Sequence, residues 1–129
     1  LFFAPFDVRL KRQDQSGADA DITTVVQPDV CVICDLKKID RRGCIGAPDW
    51  IIEILSEGNV RTDTDDKFRL YEESGVREYW IIQPGDRTIV AFDLVGSHYQ
   101  FRKIYSDGEQ IDSVTLPEVS LEVSAVFEW

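Results

Sequence analysis

Asp29, Glu53 and Lys67 are the residues of this chain whose types and spacing could do chemistry. Asp29 follows Pro28, Glu53 comes 24 residues later inside the apolar run WIIEIL, and Lys67 stands 14 residues beyond it. Two carboxylates that meet in one cleft offer the hard oxygen ligands that Mg²⁺ takes. A cation held there would polarise a phosphate and lower the pKa of a bound water, and a neighbouring ammonium would orient that water or offset charge in the transition state. The set has the outline of a phosphodiester-hydrolysing site. Structural readings stand beside it: Pro28-Asp29 as an Asx turn entering a strand, Glu53 as a buried acid paired with Lys67, and Lys67 as a long chain reaching past apolar neighbours to water. Residue types and spacing leave that choice open.

For chemistry the three side chains must be brought together, and the flanking pattern says how. Residues 50–55 are β-branched and apolar on both sides, as expected of a strand covered on both faces. Alternation puts Asp49, Ile51, Glu53 and Leu55 on one side of it. Residues 25–34 read as the preceding strand, with Asp29, Cys31 and Ile33 on one face, so pairing of the two strands would aim both acids into the same cleft. A helix is expected from near Thr62, a good N-cap type, to Gly75, with Asp63, Asp65 and Asp66 in its first turns. Along it Asp63, Lys67, Leu70, Tyr71 and Ser74 share one face, which turns Lys67 towards the sheet and gives Tyr71 either a contact with the site or, as the simpler reading, a place in the core.

The remaining chain supplies the frame. Residues 2–10 read as a first strand that Pro5 confines to an edge or a bulge, residues 11–24 as an exposed loop, and residues 35–48 as a charged connection. A further strand spans residues 76–83, and residues 88–95 and 98–105 form a hairpin closed by Gly96-Ser97. The tail has two short strand-like pieces around Pro117 and a terminal helical turn. The expected architecture is α/β: a mixed central β-sheet with a helix after the third strand and a C-terminal β-hairpin extension, in a single domain over residues 1–129.

Composition agrees with one soluble globular domain, at 43% hydrophobic and 29% charged residues. No apolar run approaches the roughly 20 residues of a membrane span, and LFFAPF has no basic stretch before it, so a cytoplasmic protein without a membrane partner is expected. The chain has no methionine and opens at Leu1, so an upstream segment is expected to precede it. A net charge of −10 repels nucleic acid at long range, which leaves any contact with phosphates to a local basic cluster, Lys37, Lys38, Arg41 and Arg42. Cys31 and Cys34 form a C-x-x-C, but Cys44 and His98 complete no zinc-ligand spacing, and buried thiols are expected in place of a zinc or redox site.

Four motifs in order resemble a known family: P-D-V at 28–30, G-A-P-D-W-I-I-E-I-L-S at 46–56, D-x-x-x-K-x-x-x-Y at Asp63, Lys67 and Tyr71, and G-V-R-E-Y-W-I-I-x-P at 75–84. They look like the Uma-type (Uma-two) restriction endonuclease family of the PD-(D/E)XK nuclease superfamily, over roughly residues 2–95. The resemblance implies a restriction-endonuclease-like fold, with a helix before a mixed sheet and another packed between strands, and a metal-dependent DNA endonuclease. By that likeness Asp29 and Glu53 are ligands for Mg²⁺ or Mn²⁺ and the main-chain carbonyl of Ile54 is a third. Lys67 then takes the place of the lysine that the superfamily most often carries two residues after the second acid, where this chain has Leu55. An acidic or polar residue of the first helix would lie upstream of Leu1. Glu57-Gly58 and Gln83 stand where the family tends to have Pro-Ser and Asp. DNA is the implied partner, and a homodimer through residues 88–105 would let two sites cut two strands. The alternative is a non-catalytic nuclease-fold module that binds DNA or a protein partner, which the net charge of −10 and the missing first helix motivate.

Overall fold

The computed structural model describes residues 1–10, 24–55 and 61–128. The chain runs through β1 (Phe2–Phe3), β2 (Val8–Leu10), β3 (Thr24–Val26), β4 (Val30–Val32), a 3₁₀ turn (Leu36–Lys38), β5 (Ile39–Asp40), β6 (Gly43–Ile45), β7 (Trp50–Ile54) and α1 (Arg61–Ser74). It continues through β8 (Glu78–Gln83), β9 (Thr88–Val95), β10 (His98–Tyr105), β11 (Gln110–Asp112), β12 (Ser120–Glu122) and α2 (Val123–Val126). Along α1, side chains are described from residue 64 on, so Thr62 and Asp63 lie outside the described side chains, as does the loop expected at residues 11–23.

Six strands form the main sheet in the order β1-β4-β7-β8-β9-β10. β7 and β8 pair in parallel, whereas β4 pairs antiparallel with β7 and β9 with β8. Parallel neighbours need a crossover, and α1 supplies it, which obliges the helix to lie across one face of the sheet. On that face Cys31, Ile51, Tyr79 and Ile81 pack with Tyr71 and Val76. On the other face Val32, Trp50, Trp80 and Ala91 meet Ile111 and Val123 of the tail, with the Trp50 and Trp80 rings edge to face at 4.5 Å. The alternation of WIIEI is therefore realised as expected, with Trp50 on the tail side and Ile51 and Glu53 on the helix side.

Two expected strands are each broken in two at a proline. Residues 25–34 divide into β3 and β4 around Gln27-Pro28-Asp29, and residues 2–10 divide into β1 and β2 around Pro5. Proline has no N–H for a ladder, so at each break the chain leaves one sheet and enters another. β2 and β3 join β6 and β5 in a second sheet of order β3-β2-β6-β5. The expected charged connection at 35–48 thus contains a short hairpin, β5–β6. Its Gly43 has φ +124°, and a Cβ there would stand 2.1 Å from the carbonyl oxygen of Asp7. Gly43→Ala is accordingly expected to cost about 3 kcal/mol or more in urea unfolding, through strain plus backbone overlap.

The hairpin β9–β10 extends the edge of the main sheet, with Val95 opposite His98 across Gly96, whose φ is +65°. A bulge at Arg102 interrupts β10 and swings its side chain inward. There the guanidinium donates to Glu78 Oε2 at 2.8 Å and to both Asp93 oxygens at 2.7 and 2.9 Å. Glu78 is fully buried and also accepts from Trp80 Nε1 and Ser113 Oγ, both at 2.8 Å, and from the Thr115 and Val114 N–H groups at 3.0 and 3.2 Å. This one carboxylate clamps the tail onto the sheet.

Cys31 and Cys44 are buried, and burial pushes both thiols up to about 11. Cys34 departs from the buried expectation. β4 ends at Val32, so Cys34 lies beyond the ladder and is exposed, its N–H donating to Asp49 Oδ2 at 2.7 Å. Among the described residues no helix is long and apolar enough to cross a membrane.

Candidate active site

Strand register decides where the two acids meet. Val30 stands opposite Ile52 and Cys31 opposite Ile51 in the β4–β7 pair, so the next pair outward sets Asp29 against Glu53 on the α1 side. Carboxylates directly opposite one another repel, and such a placement needs compensation. The main chain provides it reciprocally: Asp29 N–H donates to Glu53 Oε1 at 2.9 Å, and Ile54 N–H donates to Asp29 Oδ2 at 2.7 Å. The proline break makes this possible, because it ends the β4 ladder where Asp29 begins to use its own N–H locally.

Lys67 and Tyr71, one helical turn apart on the inner face of α1, converge on the second oxygen of Glu53. Tyr71 OH donates to Oε2 at 2.8 Å, and Lys67 Nζ lies 3.2 Å from the same atom. Tyr71 is wholly buried and packs edge to face on Tyr79, so it is both a core residue and a partner of the site. Glu53 is 5% exposed and Lys67 35%. Burial raises the Glu53 carboxyl above its ordinary value, and the Asp29 charge adds to this, while the Asp29 N–H, the Tyr71 hydroxyl and the Lys67 ammonium pull it back. Burial first and Glu53 second drive the Tyr71 phenol strongly upward, so it stays a hydrogen-bond donor.

The structure thus brings Asp29, Glu53, Ile54, Lys67 and Tyr71 together. Leu55 packs into the core, and Asp63 lies outside the described side chains. The four basic residues divide. Lys37 and Lys38 sit at the open end of the β5–β6 hairpin, where Lys38 Nζ donates to the Ala47 carbonyl at 2.8 Å. Arg41 and Arg42 form its closed tip, beside Asp7 and Gln27. Two segments that sequence reasoning passed over flank Asp29: Gln27 before it, and Pro5-Phe6, brought in because Ala4 N–H donates to the Asp29 carbonyl at 3.1 Å.

The donor set is all oxygen. Among the described residues no third His, Cys, Asp or Glu side chain joins the two carboxylates in a group that could hold a metal. In a strand the N–H and C=O of one residue point to the same edge, so the Ile54 carbonyl faces the side where its N–H meets Asp29. Two carboxylates and a carbonyl suit Mg²⁺, which keeps several waters, and not zinc, which takes sulfur and imidazole nitrogen.

Comparison with known proteins gives the fold and the family. A solved structure described as a putative nuclease belonging to DUF820 from Anabaena variabilis matches with a TM-score of 0.65 at 22% identity, covering 81% of this chain and 61% of that one. The chain therefore spans less than two thirds of that neighbour, and the likeness establishes a restriction-endonuclease-like fold. Among curated proteins none matches. The Uma2 family model, described as "Putative restriction endonuclease", matches residues 5–124, and the chain belongs to that nuclease family.

Proposed function

We propose that this domain is a Mg²⁺-dependent DNA endonuclease in which Asp29, Glu53 and the Ile54 carbonyl hold the cation and Lys67 positions the attacking water. The observation that carries the reading is the convergence of two opposed carboxylates and one lysine at the end of a strand pair that main-chain hydrogen bonds hold rigid. A bound Mg²⁺, or Mn²⁺ in its place, supplies a Lewis acid for the scissile phosphate and a water of lowered pKa. Asp29 is oriented by the Ile54 N–H, and Glu53 by the Asp29 N–H on one oxygen and Tyr71 on the other. Lys67 keeps part of its side chain in solvent, and an ammonium has three N–H donors, so it can hold Glu53 while donating to a water or phosphate oxygen. Arg41 and Arg42 would take substrate phosphates, offsetting the net charge of −10 locally.

Titration calorimetry with Mn²⁺ tests the ligand set. The parent is expected to bind at millimolar metal or below and Asp29→Asn to show no heat, with DNA nicking lost in parallel. A second reading, a nuclease fold kept as a binding module, draws on the fact that protein donors already engage both carboxylates. A parent that binds no metal and nicks no DNA would favour it. A homodimer would use the exposed Phe101 and Ile104 of β10, and it would pack by its face, because the Arg102 bulge blunts strand pairing at that edge. A monomer mass by light scattering at high concentration would count against the dimer.

A further inference from the structure

We propose that the recess beside Asp29 seats one unpaired nucleotide of the strand being cut, with its base against Phe6 and Gln27 and its phosphates on Arg41 and Arg42. The inference rests on the reading of Asp29 and Glu53 as the cleavage site and names the form of nucleic acid that site receives. The recess is about 400 Å³, within the range of about 300–1,000 Å³ typical of small-molecule sites, and it opens between Pro5-Phe6-Asp7, Gln27 and the β5–β6 tip.

Both walls are tied to the site. Ala4 N–H is bonded to the Asp29 carbonyl at 3.1 Å, and Gln27 precedes Asp29 by two residues, at most about 7 Å of extended chain. Neither acid of the site lines the recess, and a nucleotide seated there would reach Asp29 through its adjoining phosphate. The third wall is held by the second sheet: Cys44 N–H donates to the Asp7 carbonyl at 2.9 Å, and Gly43 lies against the same oxygen. Asp40, which precedes Arg41 in the chain, is committed to the Arg9 guanidinium and to the Arg42 N–H, the latter at 2.9 Å, so it does not confront an incoming phosphate uncompensated.

The chemistry of the lining fits a nucleobase. Phe6 stacks on Phe2 with ring centroids 4.3 Å apart and planes 12° apart, so an aromatic platform borders the recess. Every base has a π-face, and stacking on such a ring is tolerant of sequence. Gln27 donates through Nε2 to Asp7 Oδ1 at 2.7 Å, which orients its amide and presents hydrogen-bonding capacity to a base edge. A base inside a duplex is already stacked and paired, and entering the recess would require leaving both. The site is thus suited to a single strand, a flap or a frayed end.

Fluorescence anisotropy in EDTA, with a labelled single-stranded DNA oligonucleotide and its duplex, tests this without turnover. The single strand is expected to bind at least tenfold more tightly than the duplex. Phe6→Ala should weaken single-strand binding about tenfold, and Gln27→Ala, at an exposed position, gives the same direction without risk to the fold. Arg41→Ala and Arg42→Ala should each reduce the log–log salt slope by about 0.7, while Lys37→Ala leaves it unchanged. Equal affinity for both forms, or Gln27 and Arg42 variants as tight as the parent, would overturn the inference. Metal-dependent cleavage of duplex that these variants do not alter would overturn it and leave the nuclease reading standing. Loss of all metal-dependent cleavage in the parent would remove that reading, while binding in EDTA would still report on the recess.

Discussion

Glu53→Gln is expected to lose metal-dependent cleavage at least a hundredfold while melting no earlier than the parent at neutral pH. The glutamine keeps the shape of the side chain. Its carbonyl can accept from the Asp29 N–H, its NH₂ can donate to the Tyr71 oxygen, and Lys67, 35% exposed, can turn to water. What it cannot supply is a second anionic oxygen for the cation. The stability half follows from linkage. Burial raises the folded Glu53 carboxyl above its ordinary 4.5. A group that binds its proton more tightly when folded contributes stability that is fully present below 4.5 and is lost as pH climbs through the raised value. Above that raised value the folded chain carries the ionised acid at a cost, and the neutral isostere relieves it. Melting curves in EDTA across that range should show the parent losing ground to the variant as pH rises. Cleavage at the parental rate, or a variant that melts many degrees below the parent at neutral pH, would contradict the assignment.

That combination of lost activity with retained or gained stability is the mark of a side chain placed for chemistry against its own folding interest. Lys67→Ala makes a companion case. Its removal leaves Glu53 with Tyr71 and the Asp29 N–H, so metal binding by calorimetry should persist while the cleavage rate falls.

Most of the site was legible because it depends on local periods. Five residues of WIIEI suffice to fix which face Glu53 takes, and a one-turn spacing suffices to stack Lys67 and Tyr71. The parallel crossover then brings helix and strand together without further information. The second sheet was not legible for the opposite reason. Its strands are two or three residues long, too short to display a period, and β2 finds β6 as a parallel partner across more than 30 residues of chain. Pro28 ends a ladder within residues 25–34, and the sheet change it imposes, which no period in the sequence displays, is what sets Gln27 and Phe6 near Asp29. The basic run at 37–42 divides in the fold: Lys37 and Lys38 lie at the open end of the β5–β6 hairpin and Arg41 and Arg42 at its tip, so Lys38 and Arg42 face different neighbours. Glu78 carried the same signal as Glu53, an acid sharing a strand face with Trp80, but its partner Ser113 lies 35 residues away.

Glu78→Ala is expected to be among the most destabilising substitutions in the chain, at about 3–5 kcal/mol. A domain of this size has about 5–15 kcal/mol in total, so much of its stability depends on one carboxylate. The alanine would leave Ser113 Oγ, Trp80 Nε1 and the Val114 and Thr115 N–H groups without their acceptor in a buried place, each unsatisfied donor costing about 1–3 kcal/mol before relaxation. Arg102 would keep its two bonds to Asp93, which limits the loss on the cationic side. Because Ser113–Thr115 lead the tail over Trp50 and Trp80, their release would also uncover Ile111 and Val123. Glu78→Gln should cost less, since it retains volume and one acceptor oxygen. Urea unfolding should rank parent, Gln and Ala in that order, and hydrogen exchange at residues 113–115 should accelerate in both variants. Glu78 lies on the sheet face opposite Glu53, so cleavage per folded molecule should not change. A loss below about 1 kcal/mol would mean that the tail is held by its apolar contacts and that the buried acid serves only to select its register.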